Sequence, residues 1–392
     1  MNKNTTKITL PFSVALLMLP QIIETMYSPA LTSIEAHFSV SASTAAEALP
    51  VFFIAFAFGV IFWGRMSDLI GRRPAMLGGL LACTIGTTAI LFVTHFFLLL
   101  VAFALCAFGA AVGSVCTQTM MRDSYQGKKL AQVFTIVTAS IGISPVVGLL
   151  SGSWLTAQGG YHWVFAVMTL LIFSLGIWSL VKLPETKPEK TPQIGLGRLA
   201  LKLCCDIHIG YSVAMISLFN VALFAYYNIA PFMFQQLGFN VSYFGKTGFI
   251  IALGSIVGSL TNHRLLKKGL SDTTIVFFAC LLMLISAVIL YRSQSGHWFY
   301  LPMVVIAFAF NLAMPNLMGK ALVNYQDQLG SAGALLGAFY YLLIGTGLGY
   351  ASYVGDLGAT LILCGSIATL LVLISIIASY SRNMGKRMVD ID

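Results

Sequence analysis

Long apolar runs, broken only by short polar or basic stretches, constrain this chain more than any other feature. About 20 apolar residues cross the hydrocarbon of a bilayer as one helix. Runs of that kind lie near residues 9–32, 45–66, 74–94, 96–119, 130–155, 163–183, 208–232, 243–262, 273–292, 297–320, 331–353 and 358–380. Only 9% of the 392 residues are charged, and 58% are hydrophobic. A soluble domain carries roughly 25% charge, so this chain could not cover a water-soluble particle. The mean hydropathy of +0.88 points the same way. The expectation is an all-α membrane protein of twelve transmembrane helices, and not a soluble enzyme.

Charge placement orients those helices. With both termini in the cytoplasm, all but two of the 22 lysines and arginines fall on cytoplasmic segments; the exceptions are Lys246 and Arg292. Basic residues stay on that side of the membrane, and one miscounted span would scramble the pattern. The net charge of +9 is therefore read as topology and contact with membrane lipid, not as affinity for nucleic acid. Lys3, Lys7 and the run after them are similar to a signal peptide. No small-residue cleavage site follows, so the run is read as a retained span. The predicted location is the inner membrane of a bacterium.

The longest connection, 184–206, contains Pro184, Pro188 and Pro192 with mixed charges and reads as a cytoplasmic linker. It divides the chain into an N-terminal half, 1–183, and a C-terminal half, 207–392. A weak repeat supports the division. Gly64 and Gly258 begin related loops 194 residues apart, and Gly148 and Gly152 match Gly345 and Gly349 at an offset of 197. Two six-span repeats are a transporter arrangement.

The most specific motif is the loop at 64–74. Gly64 and Gly71 permit a tight backbone turn, and Pro74 suits the first turn of a helix. Asp68 stands alone among Arg65, Arg72 and Arg73, which exceeds what a topology signal requires. In the fifth span Ser144, Gly148 and Gly152 recur every fourth residue and make a face another helix can approach. Gly142 precedes that face, and Pro145 removes a backbone donor and can bend the helix.

The loop resembles the signature of the major facilitator superfamily. That resemblance implies a six-plus-six fold in which Asp68 and Arg72, with Asp123 as partner, form a latch between halves that sets the conformational balance. The Gly142, Pro145, Gly148 and Gly152 pattern resembles the antiporter motif of drug-exporting members. Residues 26–31, 121–123, 162–165 and 183–186 are similar to the bicyclomycin/chloramphenicol-resistance branch of drug:proton antiporters. Two positions depart from that branch: Thr25 stands where an aspartate is usual, the acid being Glu24, and Phe103 stands where the fourth span usually carries an arginine.

An ionisable group deep in a span marks function by default. Glu24 is the clearest case, with Gln21, Tyr27 and Ser28 at helical neighbour positions. It is read as the proton carrier or as counter-charge for a cationic substrate; a carboxylate that merely reaches external water is the alternative. Gln118, Asn220, Asn228, Asn311 and Asn316 lie at span depth. In the superfamily the first, fourth, seventh and tenth helices line the cavity. With Tyr27, Tyr227, Phe52, Phe56, Tyr340 and Tyr341 these groups would form an aromatic, weakly polar pocket for small amphiphilic organic molecules. Taken singly, each fits helix packing equally well.

Other chemistries find no support. The six histidines lack metal spacing, and the seven cysteines read as small apolar residues. Gly245, Lys246 and Thr247 lack the earlier glycine of a phosphate loop, since Asn240 stands there. No cofactor or metal is expected. The sequence thus predicts a monomeric secondary transporter that exports amphiphilic compounds against protons. A dedicated siderophore or metabolite carrier, a weakly coupled facilitator and a transporter-like sensor stay open.

Overall fold

A computed structural model describes residues 7–187 and 196–389. Lys3, the middle of the expected linker with Lys190, and the side chains of Arg382, Lys386 and Arg387 lie outside the described residues. The described chain is helical, without a strand: α1 (Leu10–Met26), α2 (Leu31–Phe38), α3 (Ala42–Ala45), α4 (Ala48–Ile70), α5 (Arg72–Ile90), α6 (Phe96–Ser124), α7 (Gly127–Lys182), α8 (Leu196–Cys205), α9 (Ile207–Gln236), α10 (Val241–Lys267), α11 (Asp272–Ser293), α12 (Pro302–Ala321), α13 (Leu329–Val354) and α14 (Leu357–Val389). Hydrocarbon offers no partner to a backbone N–H or C=O, and a helix satisfies both internally.

Ten stretches among the described residues are long and apolar enough to cross a membrane. One of them, α7, is 56 residues long and leaves helical geometry at Gly159 and Gly160. Gly160 has φ +64°, and a Cβ there would lie 2.5 Å from Ser33 Oγ. Ser33 Oγ also accepts a hydrogen bond from the Tyr161 N–H at 3.1 Å, which pins the break to the end of the first span. Dividing α7 there and adding the 19-residue α5 gives twelve spans, and twelve is the count we propose.

Most helices run one to several residues past the apolar windows at one end or both, but α5 stops at Ile90, short of 94, and the first window is broken after Met26. The expected tenth span begins at 297, but residues 297–301 form turns and α12 starts at Pro302. Proline lacks the N–H that a helix interior needs and is at home in the first turn. The expected linker is also partly helical. In α8, Leu199 and Leu203 pack against Ile209, Tyr325 and Leu336, while Arg198 and Lys202 remain exposed.

Packing follows the repeat. In the first half α4 and α5 both lie against α6, and α5 also lies against α7; in the second, α10 and α11 lie against α12 and α11 also lies against α14. Glycines set the close approaches. A Cβ on Gly59 of α4 would sit 2.5 Å from the Phe108 carbonyl of α6. Gly254 of α10 meets Val304 of α12 in the same way, 195 and 196 residues further on. Between the halves the main contacts run through α4 with α13, α7 with α10, and α2 with α9. Large apolar side chains such as Phe58, Phe92, Leu170 and Ile377 point outward and are exposed, as a lipid-facing surface requires.

Gly86 tests this packing. A Cβ there would lie 2.5 Å from Cys106 N and 2.6 Å from Ala102 O. Gly86→Val is expected to lose about 1–3 kcal/mol through overpacking and to lower the melting temperature in detergent. Gly210→Ala, which meets nothing within 4 Å, should leave that temperature nearly unchanged.

Candidate functional site

Glu24 sits on the buried face of the last turn of α1, one turn after Pro20, which removes one backbone donor. Its side chain is 3% exposed. Gln21 Nε2 donates to Glu24 Oε2 at 3.1 Å, one turn earlier on the same helix. Among the described residues no ion pair reaches this carboxyl group. The side chains of Tyr340 and Tyr341 on α13 lie within electrostatic range of it. Those two rings are 4.5 Å apart, and Tyr341 also meets Phe56 at 4.8 Å and Phe53 at 6.0 Å. Phe53 in turn meets Phe224 on α9 at 4.7 Å. A lone acid is thus backed by an aromatic wall drawn from both halves.

The other polar candidates divide into two groups. Gln21, Gln118, Asn220, Asn311 and Tyr340 are partly exposed. Asn220 Nδ2 donates to the Ile216 carbonyl at 2.7 Å, and Asn311 Nδ2 to the Ala307 carbonyl at 3.0 Å. Each therefore keeps its side-chain oxygen as an acceptor, one turn above a bond to its own helix. The Tyr340 carbonyl accepts from Ser217 Oγ at 3.2 Å. Tyr27, Tyr227 and Asn228, expected on the cavity wall, are instead fully packed, with exposures of 0%, 2% and 0%. Tyr27 lies 4.6 Å from the Phe103 ring and 6.1 Å from Phe165. Phe103 is itself buried against Phe52.

Tyr227 and Asn228 belong to a seam between the halves. Ser28 Oγ donates to the Tyr227 carbonyl. Asn228 Nδ2 donates to Ser352 Oγ at 2.9 Å, and Ser352 Oγ donates to the Ala46 carbonyl at 3.1 Å. The serines gave little warning in the sequence, because a single hydroxyl in a helix ordinarily bonds its own carbonyls.

The small-residue face of α7 packs on two helices at once. Ser144, Gly148 and Gly152 are buried. Gly148 and Gly152 abut Thr25 and Met26 of α1, beside Glu24. Ser153 and Leu149 meet Gly245 and Gly248 of α10. Gly142 is exposed and meets nothing within 4 Å, so it lies off this face. The helix runs through Pro145 with helical geometry, and its break comes at Gly159 and Gly160.

The loop at 64–74 folds around Arg72. Its side chain is 4% exposed. Nη1 donates to Asp68 Oδ1 at 2.6 Å and to the Ser67 carbonyl at 2.8 Å, and Nε donates to Asp123 Oδ2 at 3.2 Å. One guanidinium thus ties the end of α4 and the start of α5 to the end of α6. Burial works against its charge, but Asp123 and Asp68 outweigh burial and hold its pKa above the ordinary value. Gly71, at φ +110°, leaves room for Glu185, whose oxygen lies 2.5 Å from where a Cβ would be. Glu185 accepts the N–H groups of Arg72 at 2.9 Å and Arg73 at 3.2 Å, the orphan donors of a helix start. Thr186 donates to Asp123 at 3.3 Å and Lys187 to the Leu69 carbonyl at 2.8 Å. These partners of Arg72 lie within residues 67–185, so the bonds join helices of one half. Glu185 is 113 residues from Arg72, and spacing alone gave no sign of the contact.

A family model described as Major Facilitator Superfamily matches residues 15–349. An "Uncharacterized transporter" of Rickettsia bellii (strain RML369-C) is 30% identical over 349 residues, covering 84% of this chain and 85% of its own. A "Bicyclomycin resistance protein homolog" of Haemophilus influenzae (strain ATCC 51907 / DSM 11121 / KW20 / Rd) is 26% identical over 403 residues, covering 94% and 95%. The crystal structure of a D-xylose-proton symporter superposes with a TM-score of 0.71 at 14% identity, covering 93% of this chain and 95% of that one. At that identity the likeness speaks for the fold alone.

Arg72→Ala is expected to destabilise the chain by about 3 kcal/mol. That is the low end for breaking a buried pair, because Asp68 is 44% exposed. Glu185→Gln weakens only the helix-start contact and should cost about 1 kcal/mol or less. Denaturation of both variants in the same detergent checks the order.

Proposed function

This chain belongs to the major facilitator superfamily, and on that footing we propose that it exports small amphiphilic organic compounds in exchange for protons. The observation that carries this reading is Glu24: a carboxyl group 3% exposed, without an ion-pair partner among the described residues, facing an aromatic wall. An ionised carboxylate is costly in low dielectric unless a positive charge accompanies it. Glu24 then has two low-cost states, one holding a proton and one holding a cationic ligand. Exchange between them is antiport. The tyrosine and phenylalanine faces around it supply apolar contact and attraction for a cation. Gln21 positions the carboxyl group, and Asn220, Asn311 and Gln118 offer polar contacts along the cavity. The name of the Haemophilus influenzae relative supports a drug-like substrate.

In this reading the two halves, divided at 184–206, rock about the site. The α7 face at Gly148 and Gly152 places the α1 segment that carries Glu24. The Arg72 joint keeps the ends of α4, α5 and α6 together during that movement. The protein works as a monomer in the inner membrane of a bacterium, with both termini cytoplasmic.

A second reading is a dedicated metabolite carrier or weakly coupled facilitator. Phe103 favours it: a buried ring packed on Tyr27 and Phe52 occupies the position where the resembled branch usually carries a fixed positive charge.

Proteoliposomes with an internal pH-sensitive dye separate the two. Under antiport, adding bicyclomycin or a lipophilic cation should drive proton movement, and Glu24→Gln should abolish that movement. Solute flux without proton flux supports the facilitator. Full, still pH-dependent transport by Glu24→Gln removes Glu24 from the coupling step.

A further inference from the structure

The ends of α10, α11 and α12 are joined by polar contacts to which the mechanism above gives no role. Asn316 Nδ2 donates to Asn262 Oδ1 at 2.9 Å and to the Leu312 carbonyl at 2.8 Å. Both asparagines are buried, at 5% and 7% exposure. Beside them Lys320 Nζ pairs with Asp272 Oδ2 at 2.9 Å.

The positions are those of the Arg72 joint in the other half. Asn262 follows Asp68 by 194 residues, the offset of the two loop glycines, and Asn316 follows Asp123 by 193. Asp272 opens α11 as Arg72 opens α5, and Lys320 lies near the end of α12 as Asp123 does on α6. Both joints therefore tie the same three helices of a half at the same end. Their chemistry differs. In the first half one buried guanidinium serves all three helices. In the second, a neutral amide pair links α10 to α12, and an ion pair of reversed polarity links α11 to α12. The ion pair is open to solvent, with side chains 57% and 33% exposed, and such pairs contribute little. A buried amide that loses its partner is the costlier loss.

We propose that Asn262 and Asn316 are positioning residues that make the C-terminal half move as one body. The outer part of α10 carries Gly245 and Gly248, which meet α7 of the other half. Its inner end is fastened to α12 by the amide pair. A contact made or broken between α7 and α10 is thereby passed to the rest of its half. The pair carries no charge, so this fastening is not exposed to screening by salt as surface charges are. The proposal rests on the reading that the halves move relative to one another, but not on any substrate.

Its test is a distance measurement between halves on the full chain in lipid nanodiscs. One spin label is placed at Lys128→Cys, exposed at the start of α7, and one on the native, exposed Cys205 of α8, with Cys204→Ser. The α8 site packs on α9 and α13. Asn262→Ala and Asn316→Ala should each shift and broaden the distance distribution, at a melting temperature that still shows a folded protein. The double variant should shift it no further than the larger single effect, as for two halves of one contact. Asn262→Asp keeps an acceptor for Asn316 and should restore the parent distribution. An unmoved distribution, additive single effects, or Asn262→Asp behaving as Asn262→Ala would each overturn the proposal. A labelled protein that gives these shifts but moves no solute would sink the transport reading and leave this inference standing.

Discussion

A peptide group in hydrocarbon has no water to bond, and that single cost organises the molecule. Helices meet it within each segment, so backbone leaves the helical state only where protein covers it. The break at Gly159 and Gly160 shows this: Ser33 of the first span accepts the freed Tyr161 N–H. Lipid also removes most of the hydrophobic drive between helices, which must then associate by close contact. The glycines at 59, 86, 148, 152, 254 and 258 provide that contact. With apolar surface everywhere, the few buried polar groups become the only specific joints.

Those joints have an uneven distribution. The seam between halves gathers where Ser28 meets Tyr227, Asn228 meets Ser352, and Ser352 meets Ala46. The Arg72 joint ties α4, α5 and α6, the Asn262–Asn316 pair ties α10 to α12, and each bonds within its own half. The structure is therefore fastened across the halves at one end and within each half at the other. Glu24 lies one turn before the seam residue Ser28, next to Thr25 and Met26, which pack on the α7 face that also contacts α10. Any movement that opens the seam displaces the segment holding the carboxyl group.

How far the sequence revealed this depended on range. The helices were legible because apolar run length is local. Asp68 and Arg72 were legible because i,i+4 spacing on the chain predicts a contact. Contacts that bridge a hundred residues were not: Glu185 at the start of α5 stood out only within the 183–186 stretch similar to the resistance branch, and Ser352 gave no signal. Polar residues on one helix stripe were read as a cavity wall, yet Tyr27 turned into the aromatic core and Asn228 into the seam. Periodicity gives the face of a helix and not what covers it. The start of α12 was missed because residues 297–301 are apolar enough to extend the run, while Pro302 set the helix boundary.

The economics of charge in the membrane make Glu24 and Arg72 opposite cases. Arg72 is a permanent cation, since its guanidinium does not titrate in any usable range. It is fixed by two carboxylates, and the resulting cluster holds a structure together. Glu24 is a titratable anion fixed by one neutral amide. The branch this chain resembles usually carries an arginine in the fourth span, a permanent positive charge; here that position is Phe103. Phe103 supplies only a ring face to Tyr27. On the proposed reading, the charge on Glu24 is then met by something that comes and goes, a proton or the cargo itself. A fixed pair makes a joint, and an unfixed one makes a carrier; the difference here is one guanidinium.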